Sequence, residues 1–215
     1  MPSPLPRAFF ERPVLEVAPE LLGSVIEHRG ADGVVAVRLT EVEAYDGEDD
    51  PGSHAFRGRT PRNAVMFGRP AHVYVYFSYG MHWCMNIVCG PAGRASAVLL
   101  RAGEVVEGES LARTRRTTSK STRDLAQGPA RLTVALGIDG GYDGTDLLAR
   151  GSVLRVLADR AAEPGTVRAG PRVGVSGAGA AQPWRFWLDG EPTVSTYRPA
   201  VRRRRSVAGS GRLSP

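Results

Sequence analysis

"VVAVRLTEVEAYDG", residues 34–47, is the stretch on which the fold prediction rests. Its first half is an aliphatic run typical of a buried β-strand, in which alternate residues share a face. On that count the apolar face that begins at Val35 continues through Glu41, Glu43 and Tyr45. A buried carboxylate loses hydration unless a partner compensates, and such groups are common at active sites. The alternative is that the strand bulges or ends early and leaves both acids in water.

The segments on both sides of this strand are typical of hairpins and short elements. Asp32-Gly33 is a turn signal, and "AHVYVYFSYGMHWCMNIVCG", residues 71–90, contains two β-runs around a tight turn. Further short strands are predicted downstream, including one over "PRVGVSGAG", residues 171–179. A short helix is predicted to start at about Pro19, because proline suits a first helical turn.

Together these elements predict an α+β protein. We expect a single domain over residues 1–200, with a curved, largely antiparallel β-sheet core flanked by helices and a protruding β-hairpin. Residues 201–215 are expected to form a basic, disordered tail. No internal repeat or interdomain linker interrupts the pattern.

The charges are unevenly distributed along the chain. Lys and Arg number 28 against 22 Asp and Glu, but residues 198–215 hold six arginines and no acid, so the remainder is neutral. Residues 51–103 contain six arginines and no acid. This segregation indicates a surface that faces a polyanion, although chance clustering of solvated charges would give the same counts. There is no apolar run long enough for a bilayer and no signal-peptide segment, so the expected location is the cytoplasm.

The cysteines and histidines do not predict a metal site. Cys84 and Cys89 are five residues apart, which places them on opposite faces of one strand and predicts buried, reduced thiols. The four histidines lack the spacing of metal ligands.

The tip of the predicted hairpin has an unusual composition. Turn tips favour Gly, Asn, Asp and Ser, whereas this tip is "SYGM", residues 78–81, and projects Tyr79 away from any core. Beside a run of arginines, such a ring suggests a side chain that inserts between DNA base steps, although exposed tyrosines are common. Tyr74 and Tyr76 share a face of the first β-run, and we expect one face to be core and the other an aromatic pocket.

Four motifs in a fixed order make a resemblance specific. They are "EVEAY" (41–45), "RTPRN" (59–63), "YVYFSYGM" (74–81) and "CMNI" (84–87). With the later "GPARLTVALGI" and "RFWLDG" blocks, the chain resembles the alkyladenine (3-methyladenine) DNA glycosylase family over residues 8–199. The resemblance implies an enzyme that flips damaged purines, alkylated or deaminated, out of duplex DNA and hydrolyses the N-glycosidic bond in base excision repair.

The resemblance also implies the catalytic groups. Glu43 would be the general base that activates water, and Arg101 would help to hold that water. A lyase reaction would need an activated amine, and no lysine lies near these motifs, so a monofunctional hydrolysis is expected. This chemistry requires no metal and no cofactor.

Four further residues would form the base pocket by the same resemblance. Tyr45 and Tyr76 would stack on the flipped base, and His54 would lie opposite or beside it and contact its edge. Asn86 would lie at the pocket floor and disfavour the exocyclic amino group of guanine. Aromatic faces suit a flat, electron-poor purine, and a cationic alkylated base gains from them.

The remaining implied contacts are with the duplex. Tyr79 would be the intercalating finger that fills the vacated space, and Met81 would pack beside it. Arg59, Arg62 and Arg131 are candidates for contacts with the DNA backbone. The implied partner is double-stranded DNA containing damaged purines. We expect a monomer that binds no membrane and associates with the bacterial nucleoid when on DNA.

Two other classes of protein remain alternatives. A non-catalytic damaged-DNA-binding protein of the same fold would bind tightly without releasing a base, and Glu43 would then be dispensable. A hydrolase of free nucleosides would leave Tyr79 and the acid-free arginine stretch without a function.

Overall fold

The computed structural model describes residues 3–163 and 165–200, so the expected tail lies outside the described residues. In the described part, eight strands form one sheet. The strands are β1 (Val25–Gly30), β2 (Gly33–Tyr45), β3 (Val73–Ser78), β4 (His82–Val88), β5 (Ala97–Glu107), β6 (Leu154–Leu157), β7 (Val167–Gly170) and β8 (Arg185–Leu188). The α-helices are α1 (Arg7–Phe10), α2 (Val14–Glu20), α3 (Glu109–Arg115) and α4 (Pro129–Leu136). Short 3₁₀ helices cover Gly47–Asp49, Ala64–Phe67, Thr122–Asp124, Gly140–Tyr142 and Gly177–Gly179.

The strand order of the main sheet is β3-β4-β5-β2-β1-β6. Strand β8 pairs with the second half of β2, β7 pairs with β8, and every pairing is antiparallel. The hairpin β3–β4 ends at Tyr79, whose side chain is 87% exposed. The predicted α+β domain with an antiparallel core and a protruding hairpin is confirmed.

The core lies on one face of the sheet, under two helices. Helix α2 packs on β2, and α4 packs on β4 and β5. Leu21, at the end of α2, and Leu132 of α4 meet strand residues such as Val37, Met85 and Leu100, and all five side chains are fully buried. Each such burial contributes about 1.5–3 kcal/mol, so this face holds the domain together.

The longest strand, β2, changes the face that it buries along its length. Val35, Val37 and Leu39 belong to the core, as the alternation predicts. The next core residues of β2 are Val42 and Ala44, which lie an odd number of positions beyond Leu39. Glu41, Glu43 and Tyr45, which alternate with Val42 and Ala44, therefore face the opposite side of the sheet.

A β-bulge accounts for this change of face. Leu39 lies opposite Gly103 and Glu41 lies opposite Ala102, so β2 carries one extra residue there; the next pair, Val42 and Leu100, skips Arg101 on β5 and restores the register. A bulge bends its strand and shifts the alternation by one position. The prediction that the two acids continue the apolar face is therefore wrong, because they lie on the other face. The alternative of a bulge that leaves both acids in water is right about the bulge and wrong about the water, because both acids are fully buried.

Two predicted elements differ from those in the structure. The first helix is α2, which begins at Val14 and contains Pro19 near its end, because the apolar spacing from Val14 buries one continuous face. The predicted strand over residues 171–179 is a loop that ends in the 3₁₀ helix Gly177–Gly179. Gly174 and Gly177 have φ of +72° and +73° there, a left-handed conformation that a strand does not tolerate.

The tight approach of β2 and β5 at the bulge leads to a stability prediction. A Cβ atom on Gly103 would lie 2.3 Å from the carbonyl oxygen of Arg38. We expect Gly103→Ala to lower the free energy of unfolding by about 1–3 kcal/mol in urea denaturation, because the strands must separate. Val106→Ala, at an exposed position of the same strand, should cost less than about 1 kcal/mol. Equal effects of both changes would contradict the close packing.

Candidate active site

The face of the sheet opposite the core carries a pocket of about 630 Å³. Tyr45 from β2, Tyr76 from β3, Asn86 from β4 and Arg101 from β5 line it. In β3, Val73 and Val75 enter the core while Tyr74 and Tyr76 face the pocket. Strand β3 thus contributes side chains to both the core and the pocket, because successive side chains of a strand point to opposite faces of the sheet.

Glu43 lies fully buried behind the pocket wall. One carboxylate oxygen, Oε1, accepts a hydrogen bond of 2.6 Å from the backbone N–H of Val173. The other, Oε2, accepts one of 2.9 Å from the hydroxyl of Tyr45 and lies 3.2 Å from Nη1 of Arg101. A carboxylate has about four acceptor positions, so these three contacts leave one position for a further donor.

Arg101 connects Glu43 to the second acid, Glu41. Its Nε donates to Oε1 of Glu41 at 2.8 Å, and Nε of Arg185 donates to the same oxygen at 2.7 Å. Burial alone would raise the pKa of Glu41, but the charges of the two arginines outweigh it and the pKa lies below its usual value. Likewise burial opposes the charge of Arg101, and Glu43 and Glu41 raise its pKa above the usual range.

Aromatic rings form one side of the pocket. The rings of Tyr74 and Tyr76 stack with centroids 5.5 Å apart, and His54 meets Tyr76 edge-on at 4.5 Å. Burial, together with the nearby charge of Arg62, lowers the pKa of His54, so its ring is neutral at pH 7. Burial raises the pKa of Tyr74 to about 12, so this hydroxyl stays protonated. The pocket therefore presents flat, uncharged rings.

Asn86 is buried at the pocket, opposite Tyr74 in the β3–β4 pairing. Its Nδ2 donates to the backbone carbonyl of Tyr74 at 3.1 Å. A carbonyl oxygen only accepts, so this bond fixes the orientation of the amide. The side-chain oxygen and the second N–H of the amide remain available to a ligand.

The hairpin tip extends over the pocket. Tyr79 and Gly80 both have positive φ, 52° and 66°, in a turn closed by a hydrogen bond of 3.0 Å from the N–H of Met81 to the carbonyl of Ser78. A bulky residue with positive φ is uncommon, and such strained positions cluster at functional sites. Tyr79 also lines the pocket, and Met81 beside it is 66% exposed.

Of the three candidate backbone-binding arginines, only Arg62 lines the pocket, with its guanidinium 5.7 Å above the ring of Tyr76. Arg59 is exposed, and Arg131 is exposed on α4, 3.8 Å from Asp124. Arg94, in the acid-free stretch, pairs instead with carboxylates of the neighbouring loop. The arginine-rich stretch is therefore only partly a free cationic surface.

Arg172 is the main site residue that the sequence pattern did not indicate. Its buried guanidinium lies 4.5 Å over the ring of Tyr45 and donates to Oδ1 of Asp50 at 2.6 Å. This pair joins the loop that carries His54 to the loop that carries Val173. No local motif marks it, because its partners are distant in sequence; the one available signal is a lone arginine in a segment of small and apolar residues.

Cys84 and Cys89 are buried free thiols, as predicted. In the described part of the chain, no three His, Cys, Asp or Glu side chains cluster as metal ligands do. No helix in that part has the length and apolar character needed to cross a membrane.

Comparison with known proteins assigns the family. The family model described as methylpurine-DNA glycosylase matches residues 8–192. The class is thus that of hydrolytic DNA glycosylases. The chain belongs to the methylpurine-DNA glycosylase family, and the resemblance noted in the sequence is confirmed.

Close relatives carry a consistent name, "Putative 3-methyladenine DNA glycosylase". One from Streptomyces avermitilis is 61% identical over 204 residues, covering 94% of this chain and 96% of the relative. One from Leifsonia xyli is 59% identical, covering 86% of this chain and 88% of the relative. One from Burkholderia lata is 48% identical, with 93% of each chain covered.

The Asp50–Arg172 pair leads to a second stability prediction. Asp50→Asn leaves a buried arginine without its counter-charge, so we expect a loss of about 3–5 kcal/mol in unfolding free energy. Asp49→Asn is the matched control, because Asp49 is 74% exposed and its pairing with Arg94 is worth about 0–1 kcal/mol. Urea denaturation measures both. Similar losses in the two variants would contradict the clamp between the loops.

Proposed function

We propose that the protein releases alkylated purines such as 3-methyladenine, and deaminated purines such as hypoxanthine, from duplex DNA by monofunctional hydrolysis. The damaged nucleotide is flipped into the pocket before its N-glycosidic bond is cut. The observation that carries this proposal is the contact of the buried Glu43 with Arg101, which lines an aromatic pocket whose mouth lies under Tyr79. Base-excision repair of alkylated DNA is the corresponding biological role.

Recognition of the flipped base is assigned to four side chains. Tyr45 and Tyr76 stack on its faces, and the neutral His54 ring contacts its edge. Stacking is favourable for any purine and strongest for a cationic alkylated base. Asn86 lies where it can distinguish purines by their exocyclic groups. The hydrogen bond to Tyr74 fixes the amide and leaves its oxygen and its second N–H free for the base.

Hydrolysis is assigned to a water molecule held between Glu43 and Arg101. The bond from C1′ of the sugar to the base breaks, its electron pair leaves with the base, and the water oxygen bonds to C1′. The water proton passes to the acceptor position left free on Glu43. The transition state resembles an oxocarbenium ion, which the adjacent carboxylate stabilises. A 3-methyladenine base is cationic before cleavage and leaves as a neutral molecule, whereas the neutral hypoxanthine base must take up a proton from solvent as it leaves.

Extrusion of the nucleotide is assigned to the hairpin. Unstacking costs a few kcal/mol, and a ring of Tyr79 placed in the gap recovers part of it by stacking. Met81 packs beside that ring, and the exposed guanidiniums of Arg59, Arg62 and Arg131 neutralise backbone phosphates. One chain supplies the whole pocket, which is compatible with a cytoplasmic monomer that acts on nucleoid DNA.

Replacing the proposed base tests the chemistry directly. We expect Glu43→Gln to lower the single-turnover rate of base release at least about 100-fold, because the amide cannot accept the water proton. Duplexes that each carry one defined lesion are the substrates, and filter binding measures affinity in parallel. Affinity should change less than about threefold, because Glu43 lies behind the pocket wall.

The matched control is Glu48→Gln, an exposed acid in the neighbouring loop, which should keep the wild-type rate. Turnover by Glu43→Gln near the wild-type rate would contradict the assigned base. Tight binding without release by the wild-type protein would favour the non-catalytic alternative.

A second test addresses the finger. We expect Tyr79→Ala to weaken binding to a damaged duplex by about 1–3 kcal/mol, the usual contribution of one aromatic–base stack. Binding to undamaged single strands should change much less, because no flipped nucleotide leaves a gap for the ring to fill there. Tyr79→Phe keeps the ring and should bind as the wild type does. Equal losses on duplex and single strand would contradict intercalation.

A further inference from the structure

Glu41 is a buried acid to which the family resemblance gives no function. It lies on the pocket side of β2, two residues before Glu43, and has no exposed surface. Its Oε1 accepts hydrogen bonds from the Nε atoms of Arg101 and Arg185 at 2.8 Å and 2.7 Å. Its Oε2 accepts one of 2.7 Å from the backbone N–H of Ser195. Every oxygen of Glu41 is therefore engaged with protein groups rather than with the pocket.

Arg101 is shared between the two acids. Its Nε faces Glu41 while Nη1 lies 3.2 Å from Oε2 of Glu43. Because the guanidinium is a rigid plane, the bond to Glu41 sets the direction in which Nη1 points. Arg185 does not approach Glu43 within ion-pair distance in the described residues and is paired with Glu41 instead. The four side chains carry two positive and two negative charges, so the cluster is neutral.

We propose that Glu41 is a positioning residue for base release, which directs Arg101 toward Glu43 and cancels the charge of Arg185 beside the reacting sugar. This inference rests on the proposed catalytic role of Glu43. Charges in a site shielded from water interact strongly, so a net positive cluster would oppose the cation that forms on the sugar. Glu41 keeps the cluster neutral without contacting the substrate.

A purely structural role for Glu41 is the competing explanation. Glu41 also holds the segment that contains Ser195, and the same segment is fastened by a hydrogen bond of 2.8 Å between Thr40 and Thr193. If fastening this segment were the whole function, loss of the Thr193 contact would mimic loss of Glu41. Thr193→Val removes that hydrogen bond, keeps the shape of the side chain and does not touch Arg101.

Three full-length variants separate charge from fastening: Glu41→Gln, Glu41→Gln combined with Arg185→Gln, and Thr193→Val. The measurements are the single-turnover rate of 3-methyladenine release and the affinity for a lesion duplex. We expect Glu41→Gln to slow release about 10- to 100-fold with affinity unchanged, because it leaves one uncompensated positive charge. The double variant is neutral again, and the amide oxygen introduced at position 41 can still accept from Arg101, so its rate should return to within about threefold of wild type. Thr193→Val should keep the wild-type rate.

The rate of the double variant decides the outcome. A double variant as slow as Glu41→Gln, or a Thr193→Val variant that is equally slow, would overturn the proposal in favour of a structural role. If Glu41→Gln does not fold, the double variant still tests the inference, because a structural role predicts that it is at least about 10-fold slower than wild type. The proposed function fails separately, when wild-type protein releases no base or Glu43→Gln still does.

Discussion

Burying two carboxylates on one strand requires cations at the same depth, and this requirement determines the arrangement of the central strands. Glu41 and Glu43 lie on β2, and their counter-charges come from Arg101 on β5 and Arg185 on β8. An ionised acid buried without a partner costs several kcal/mol, so β2 must lie between these two strands. The observed pairings place it there, with Glu43 opposite Leu99 on one side and Arg185 on the other.

The β-bulge reconciles this polar cluster with an apolar core. Without the bulge, the alternation of side chains would continue unchanged after Leu39. The two acids would then point into the apolar core that contains Val37. The extra residue turns Val42 into the core and directs the acids to the pocket side. At the same point β2 stops pairing with β1 and begins pairing with β8. One local irregularity therefore separates the part of the sheet that stabilises the domain from the part that carries the site.

The sequence predicted well the features that depend on residues close together in the chain, and poorly those that depend on contacts between distant segments. Residues that are close in sequence determine the β3–β4 hairpin, its exposed Tyr79 and the division of its side chains between core and pocket. The alternation of apolar residues and the composition of the turn are therefore enough to predict these features. The bulge in β2 was not predictable from period alone, since it appears only in the pairing with β5. Arg172 and Asp50 are 122 positions apart, so no local pattern could join them. The family resemblance named Glu43 and Arg101, but not the acid that holds Arg101 in place.

The distribution of charge suggests where discrimination between bases takes place. The side chains that line the pocket in the described residues include Arg62 and Arg101 but no carboxylate. A cationic lesion is therefore not drawn in by a facing negative charge, and stacking on neutral rings accepts any purine and favours a cationic one only moderately. Glu43 lies behind the wall in contact with Tyr45 and Arg101, and in the proposed mechanism only the attacking water molecule reaches its free acceptor position. Under the proposed mechanism, selection for alkylated bases arises mainly in the bond-breaking step, where a base that is already cationic leaves most readily and a neutral cluster least opposes the sugar cation.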